Sequence, residues 1–236
     1  MPRVWQVACA GVDGFDGRWV IARTDGAPTG PDHTGLSTLT FTLADDATGV
    51  LEATADCEAV AVDVPLGLSV DAVRPCERAA RARLPGAASS VFPAPARDVL
   101  LADDYQDACA RSSAAAGKKI SKQTWFLVPG IREFDRAVLD PTRVIEAHPE
   151  LCFRAMSPGT MFAAKRTTRG QGARIAALAT WSAIAQSLAE LPAGPALDDV
   201  LDAAACAWTA RRWVAGAAEV LGGEPDTFGR PMRIVV

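Results

Sequence analysis

The sequence predicts an α/β protein built on a mixed sheet, an antiparallel meander of three strands extended by parallel strands and flanked by helices. Three observations carry that prediction. Short apolar runs at residues 7–12 (VACAGV) and 59–64 (AVAVDV) have the composition of strands buried on both faces. Residues 39–43 (LTFTL) alternate as a half-buried strand does. Residues 198–213 (DDVLDAAACAWTARRW) are rich in alanine and strongly helical.

In chain order, the run 7–12 ends on Asp13, after which Gly14 and Gly17 offer a turn and residues 18–22 (RWVIA) return antiparallel. Asp13 thus stands at the mouth of a hairpin, where it can serve the turn itself or a site. A Gly/Pro/Thr loop over 26–37 leads to the third strand. Asp45 or Asp46 then caps a helix reaching about Ala55. The strand 59–64 follows, stopped by Pro65 and Gly67 and carrying Asp63 near its end. A crossover helix sets this strand parallel to the first, so Asp13 and Asp63 share one end of the sheet.

Residues 68–140 read as a helical insertion in a single domain spanning 1–236, because no apolar face among them is long enough to form a separate core. Helices are expected at 76–84, 103–116 and 131–139, between proline and glycine breaks. Arg111, Lys118, Lys119 and Lys122 gather around Gly117, with Trp125 close behind. Basic residues beside an indole suit single-stranded nucleic acid; the plainer reading is a solvated loop and a core tryptophan. A further strand at 143–147 (RVIEA) brings Glu146, with His148 on the same face and Glu150 opening the next helix. Lys165, Arg166, Arg169 and Arg174 form a second basic patch before an apolar helix at 173–188.

On the last helix Asp199 and Asp202 lie three residues apart on one face, while Asp198 suits the N-cap. Asp202 lies among Val200, Leu201 and three alanines, where an unpaired carboxylate is costly. With this helix packed across the sheet, Asp202 or Asp199 meets Asp13 and Asp63. Such a group of carboxylates repels itself unless cations intervene, and magnesium or manganese bound there can activate water against a phosphodiester.

The segments GVDG, AVDVPLGL, RARLPGAASSVF, KKISKQTW, IEAHPELCF, KRTTRGQGAR and DDVLDAAACAWTA occur in that order. Together they resemble the predicted-nuclease family catalogued as domain of unknown function 429, within the ribonuclease H-like superfamily. The resemblance implies a ribonuclease H-like domain with Asp13, Asp63 and Asp202 as ligands of Mg2+ or Mn2+, and Asp199 and Glu146 as further catalytic acids. Lys118, Lys119, Gln123, Lys165 and Arg169 would then contact the substrate, and nucleic acid is the implied partner.

Composition bounds the alternatives. Net charge is −4, so a wholly basic nucleic-acid surface is excluded while a local basic groove is not. The six cysteines are scattered without CxxC or histidine spacing, as expected of buried thiols in a reducing compartment. No segment suits a membrane span or a signal peptide, so a cytoplasmic location is expected. Two rival functions share parts of the pattern. An actin-like phosphotransferase shares the meander but needs two such domains, and a non-catalytic nucleic-acid or protein binding module would keep the carboxylates as residues of the fold.

Overall fold

A computed structural model describes residues 7–24 and 36–236. The expected loop over 26–37 lies almost wholly outside the described residues. The chain is an α/β protein around a mixed five-stranded sheet of order β3-β2-β1-β4-β5. β1 (Cys9–Phe15), β2 (Arg18–Thr24) and β3 (Leu39–Ala44) form the antiparallel meander, and β4 (Ala59–Val62) and β5 (Val144–Glu146) extend it in parallel from β1. All four residues of β4 are buried, as its unbroken AVAV run requires.

Side chains alternate across the sheet and divide the core in two. Cys9, Ala59, Ala61 and Ile145 face one layer, dominated by α8 (Leu197–Val214) with α5 (Pro149–Met156) and α6 (Thr168–Leu178) against it. Ala10, Val12, Val60, Val62 and Val144 face the other, which holds α1 (Ala47–Ala53), α3 (Tyr105–Ala116) and α4 (Lys122–Arg136). Of the helices between positions 68 and 140, α4 packs against the sheet, with Phe134 edge-on to Trp19 of β2 at 5.0 Å, and α3 packs beside α4 in the same cluster. α2 (Pro75–Arg83) instead joins a small third cluster with a C-terminal hairpin, β6 (Val220–Pro225) and β7 (Pro231–Val235). A four-residue helix, α7 (Ile184–Ser187), completes the eight α-helices among the described residues.

Gly11 sets the spacing between sheet and helix. A Cβ built there would stand 2.0 Å from the Ala207 nitrogen and 2.1 Å from the Ala203 oxygen, so the absence of a side chain lets α8 lie directly on β1. The buried Ala203, Ala204, Ala207 and Ala210 complete that close approach.

Several boundaries differ from the sequence reading. β1 runs on through Phe15, so Asp13 is a strand residue paired with Val20 and not the start of a turn; the turn is Asp16 and Gly17, both with positive φ. α4 starts at Lys122 and not at 131, because Ser121 accepts the Thr124 N–H and the buried Val128, Ile131 and Phe134 hold the helix through Pro129. The apolar stretch 173–188 is two helices and not one. α6 starts earlier, capped by Thr167, and the chain then breaks to exchange backbone hydrogen bonds with Ser37. Asp46, of the two candidates, caps α1 through the Gly49 N–H. The hairpin β6–β7 was not anticipated from the sequence.

Candidate active site: a carboxylate cleft at the sheet end

The site is assembled by register. Val12 pairs with Val62 in parallel, and the Asp63 N–H donates to the Val12 carbonyl at 3.0 Å, so Asp13 and Asp63 follow side by side. Asp13 shares the face of Gly11, and Asp63 the face of Ala61, both toward α8. Because Gly11 touches α8 at Ala203 and Ala207, the first turns of that helix carry Asp199 and Asp202 toward these acids. All four line one cleft of about 640 Å³.

Asp13 and Asp63 have no side-chain hydrogen bond or ion pair among the described residues. Burial, followed by repulsion from Asp63 and Asp202, pushes the Asp13 carboxyl well above its usual range. Burial likewise raises Asp63 to about 7 and Asp202 to about 6, against the opposing pull of Lys165. Lys165 Nζ stands 2.6 Å from Asp202 Oδ2 and 3.8 Å from Asp198 Oδ2, and these pairs with the Asp13 and Asp63 charges hold it protonated. Its side chain remains 44% exposed, so this cation can be exchanged with solvent or a ligand. Asp199 is raised by partial burial and by Asp198.

Two carboxylates without a side-chain hydrogen bond or ion pair among the described residues adjoin a third held by Lys165, and oxygen donors of this type are the ones that hard divalent cations take. Among the described residues no three His, Cys, Asp or Glu side chains are arranged so that they could hold a metal ion together.

Glu146 departs from the expected arrangement. It shares a face with Val144, opposite to Asp13 and Asp63, and both its oxygens are taken by the buried Arg74 guanidinium and one also by the Leu66 N–H at 3.0 Å. An acid so neutralised closes the base of the cleft instead of offering a free ligand. His148 faces Ser90, with Nε2 3.2 Å from its carbonyl, and burial lowers its pKa. Asp198 is not the N-cap. Ala196 holds that position, its N–H donating to Asp199 Oδ2 at 3.2 Å, while the buried Asp198 pairs with Arg166 at 3.3 Å.

The basic residues are divided. Lys165 lines the cleft, whereas Lys118, Lys119, Gln123 and Arg169 do not. Arg111 is bound to Asp98 at 3.0 Å and Asp107 at 2.9 Å, and Arg174 to Glu150 at 2.6 Å. Trp125 packs on Tyr105 and beneath Arg132, which matches the plainer reading of that residue. Cleft residues that sequence reasoning missed are Arg74, Trp19, Phe92 and Phe126. Only the segment RARLPGAASSVF, which ends on Phe92, and the run QTWF gave any signal for the last two.

The raised carboxyls make stability depend on pH. Between about pH 4 and pH 7 the folded state binds more protons at Asp63 and Asp202 than the unfolded chain, so this contribution is full below pH 4 and lost as pH rises through 7. The chelator-treated protein is therefore expected to melt several degrees lower at pH 8 than at pH 5.5. A flat or rising profile over that window, read by calorimetry, would contradict the crowded carboxylates.

Fold and site together define an α/β protein with a carboxylate-lined cleft at the carboxyl end of its parallel strands. The family catalogued as "Protein of unknown function (DUF429)" matches residues 11–227, and the chain belongs to it. Comparison with curated proteins and with solved structures gives no match. No helix among the described residues is long and apolar enough to cross a membrane.

Proposed function

We propose that this protein is a cytoplasmic, metal-dependent nuclease that hydrolyses phosphodiester bonds on a ribonuclease H-like domain spanning 1–236, with residues 68–140 as an insertion. The observation that carries this reading is the pair of carboxylates without side-chain partners among the described residues, Asp13 on β1 and Asp63 just past the parallel β4, side by side with Asp202 delivered by α8. The strand order and the three-stranded meander support the fold assignment.

Asp13, Asp63 and Asp202 would hold magnesium or manganese, which supplies Lewis-acid polarisation of the phosphoryl group and neutralises its charge. Lys165 holds Asp202 through its ammonium and can pass that contact to a substrate phosphate oxygen, which frees Asp202 as a ligand. Asp199 keeps an acidic oxygen on the helix side of the cleft, at the first turn of α8. Arg74 confines Glu146 and thereby keeps the floor of the cleft rigid.

A manganese titration followed by thermal melting, with hydrolysis of a short single-stranded oligonucleotide as the second readout, tests the assignment. Manganese is expected to raise the melting temperature and to be required for cleavage, and chelation to remove both effects. No shift and no cleavage would defeat it. One observation favours the rival non-catalytic binding module: Lys165 and Arg74 already neutralise Asp202 and Glu146. Under that reading manganese has no effect, yet an oligonucleotide or protein ligand still binds.

A further inference from the structure

We propose that the cleft takes one unstacked nucleotide unit at a time, its base lying on an aromatic wall made by Phe92 and Phe126. This inference rests on the phosphodiester reading for the fate of the phosphate, but its evidence is separate.

Two phenyl rings from distant parts of the chain line the same cleft as the carboxylates, and both remain in solvent, Phe92 at 41% and Phe126 at 75%. Phe126 lies on α4 outside the buried set of Thr124, Val128, Ile131 and Phe134, so the helix does not need it for its own packing. Exposed aromatic area of this kind is retained at a cost in water and is recovered when a flat ring covers it. A base presents such a ring whatever its sequence identity.

The distribution of cations sets the length of chain that the cleft accommodates. Among the described residues lining it, the cations are Arg18, Arg74 and Lys165. Arg74 is buried and consumed by Glu146 and Glu77, and Arg18 reaches Asp45 at 2.7 Å while lying over the Phe15 ring. Lys165, 44% exposed though paired with Asp202 and Asp198, and Arg18, whose partner Asp45 is 86% exposed, are the two that can pass a contact to a phosphate, and Lys165 is the one beside the acids. A long strand would need a continued basic track, and Lys118, Lys119 and Arg169 do not line the cleft. A cleft of about 640 Å³ lies within the range of small-molecule sites. One phosphate beside Lys165 and the acids, with one base over the phenyl rings, uses every feature.

The test is binding to the full-length protein of a fluorescent nucleotide, 1,N6-ethenoadenosine 5′-monophosphate, compared with ribose 5-phosphate, which lacks the base. We expect the nucleotide to bind at least about tenfold more tightly than the sugar phosphate, and Phe126→Ala to weaken it roughly tenfold with little effect on the sugar phosphate. Phe126→Tyr should restore the affinity, since the ring and not the residue matters. Equal affinity for the two probes, no measurable binding of the nucleotide, or an unchanged affinity in the Phe92→Ala, Phe126→Ala double variant would overturn the proposal. The manganese-dependent melting shift, measured on the same proteins, separates the two readings. A shift without base preference removes the aromatic wall alone, and base preference without a shift supports the wall while removing metal-dependent chemistry.

Discussion

Replacing Asp13 by asparagine is expected to raise the melting temperature of the chelator-treated protein at pH 8 by several degrees and, under the proposed metal-dependent function, to abolish both the response to manganese and hydrolysis. The two effects have one origin. Asp13 is buried without a side-chain hydrogen bond or ion pair among the described residues and faces the charges of Asp63 and Asp202. Removing one of three repelling carboxylates therefore relieves the metal-free fold. The same change removes an oxygen donor, and since even residues behind the ligands commonly cost 10–100-fold, activity should fall by more than about 100-fold. At pH 5 the stabilisation should shrink, because protonation already neutralises the site. Calorimetry at the two pH values, with and without manganese, gives all four quantities. A variant less stable than the parent at pH 8 would show that Asp13 serves the fold and not the site.

Gly11→Ala is expected to cost at least about 3 kcal/mol and to lower the melting temperature by roughly 6–12 °C. The added methyl meets backbone atoms of α8 at 2.0 and 2.1 Å, and backbone cannot step aside as a side chain can. The helix must lift from β1, which carries Asp202 away from Asp13 and should weaken the manganese response in whatever fraction remains folded. Gly172→Ala in α6 is the control: nothing lies within 4 Å of its Cβ, so the helix should gain up to about 1 kcal/mol. A Gly11→Ala protein as stable as the parent would mean that α8 does not rest on the sheet as described.

Much of the sheet is legible in the residues. AVAV and LTFTL announce strands through local pattern, and Asp13 and Asp63 stand out because acids interrupt or end apolar runs. Asp202 is legible for the same reason, as a charge among alanines. What failed was long-range. Nothing near Glu146 shows that Arg74, 72 positions away, will claim both its oxygens. Pro129 breaks the helical pattern locally, yet the packing of Val128, Ile131 and Phe134 carries α4 through it. β6 escaped notice because five of its six residues are exposed and two are glycines, so it has neither alternation nor an apolar run. Lys118 and Lys119 form a clear basic cluster in sequence, but a cluster of charges states no direction, and neither lysine is among the residues that line the cleft.

The C-terminal hairpin bears on when folding can finish during synthesis. Asp226, in the turn between β6 and β7, accepts the Leu68 N–H at 3.1 Å and pairs with Arg97, and Val235 bridges to Ala147 beside β5. The segment that follows Asp63 is thus fastened by a residue translated 158 positions after Leu68 and 129 after Arg97. While the ribosome still holds those residues, the strands can pair and Glu146 can hold Leu66 and Arg74, but the bonds from Asp226 to Leu68 and Arg97 are missing, and that side of the cleft is fastened only once residues 226–235 have emerged. A nascent chain stalled before residue 226 should accordingly be cut by protease between positions 64 and 100, where the released protein resists.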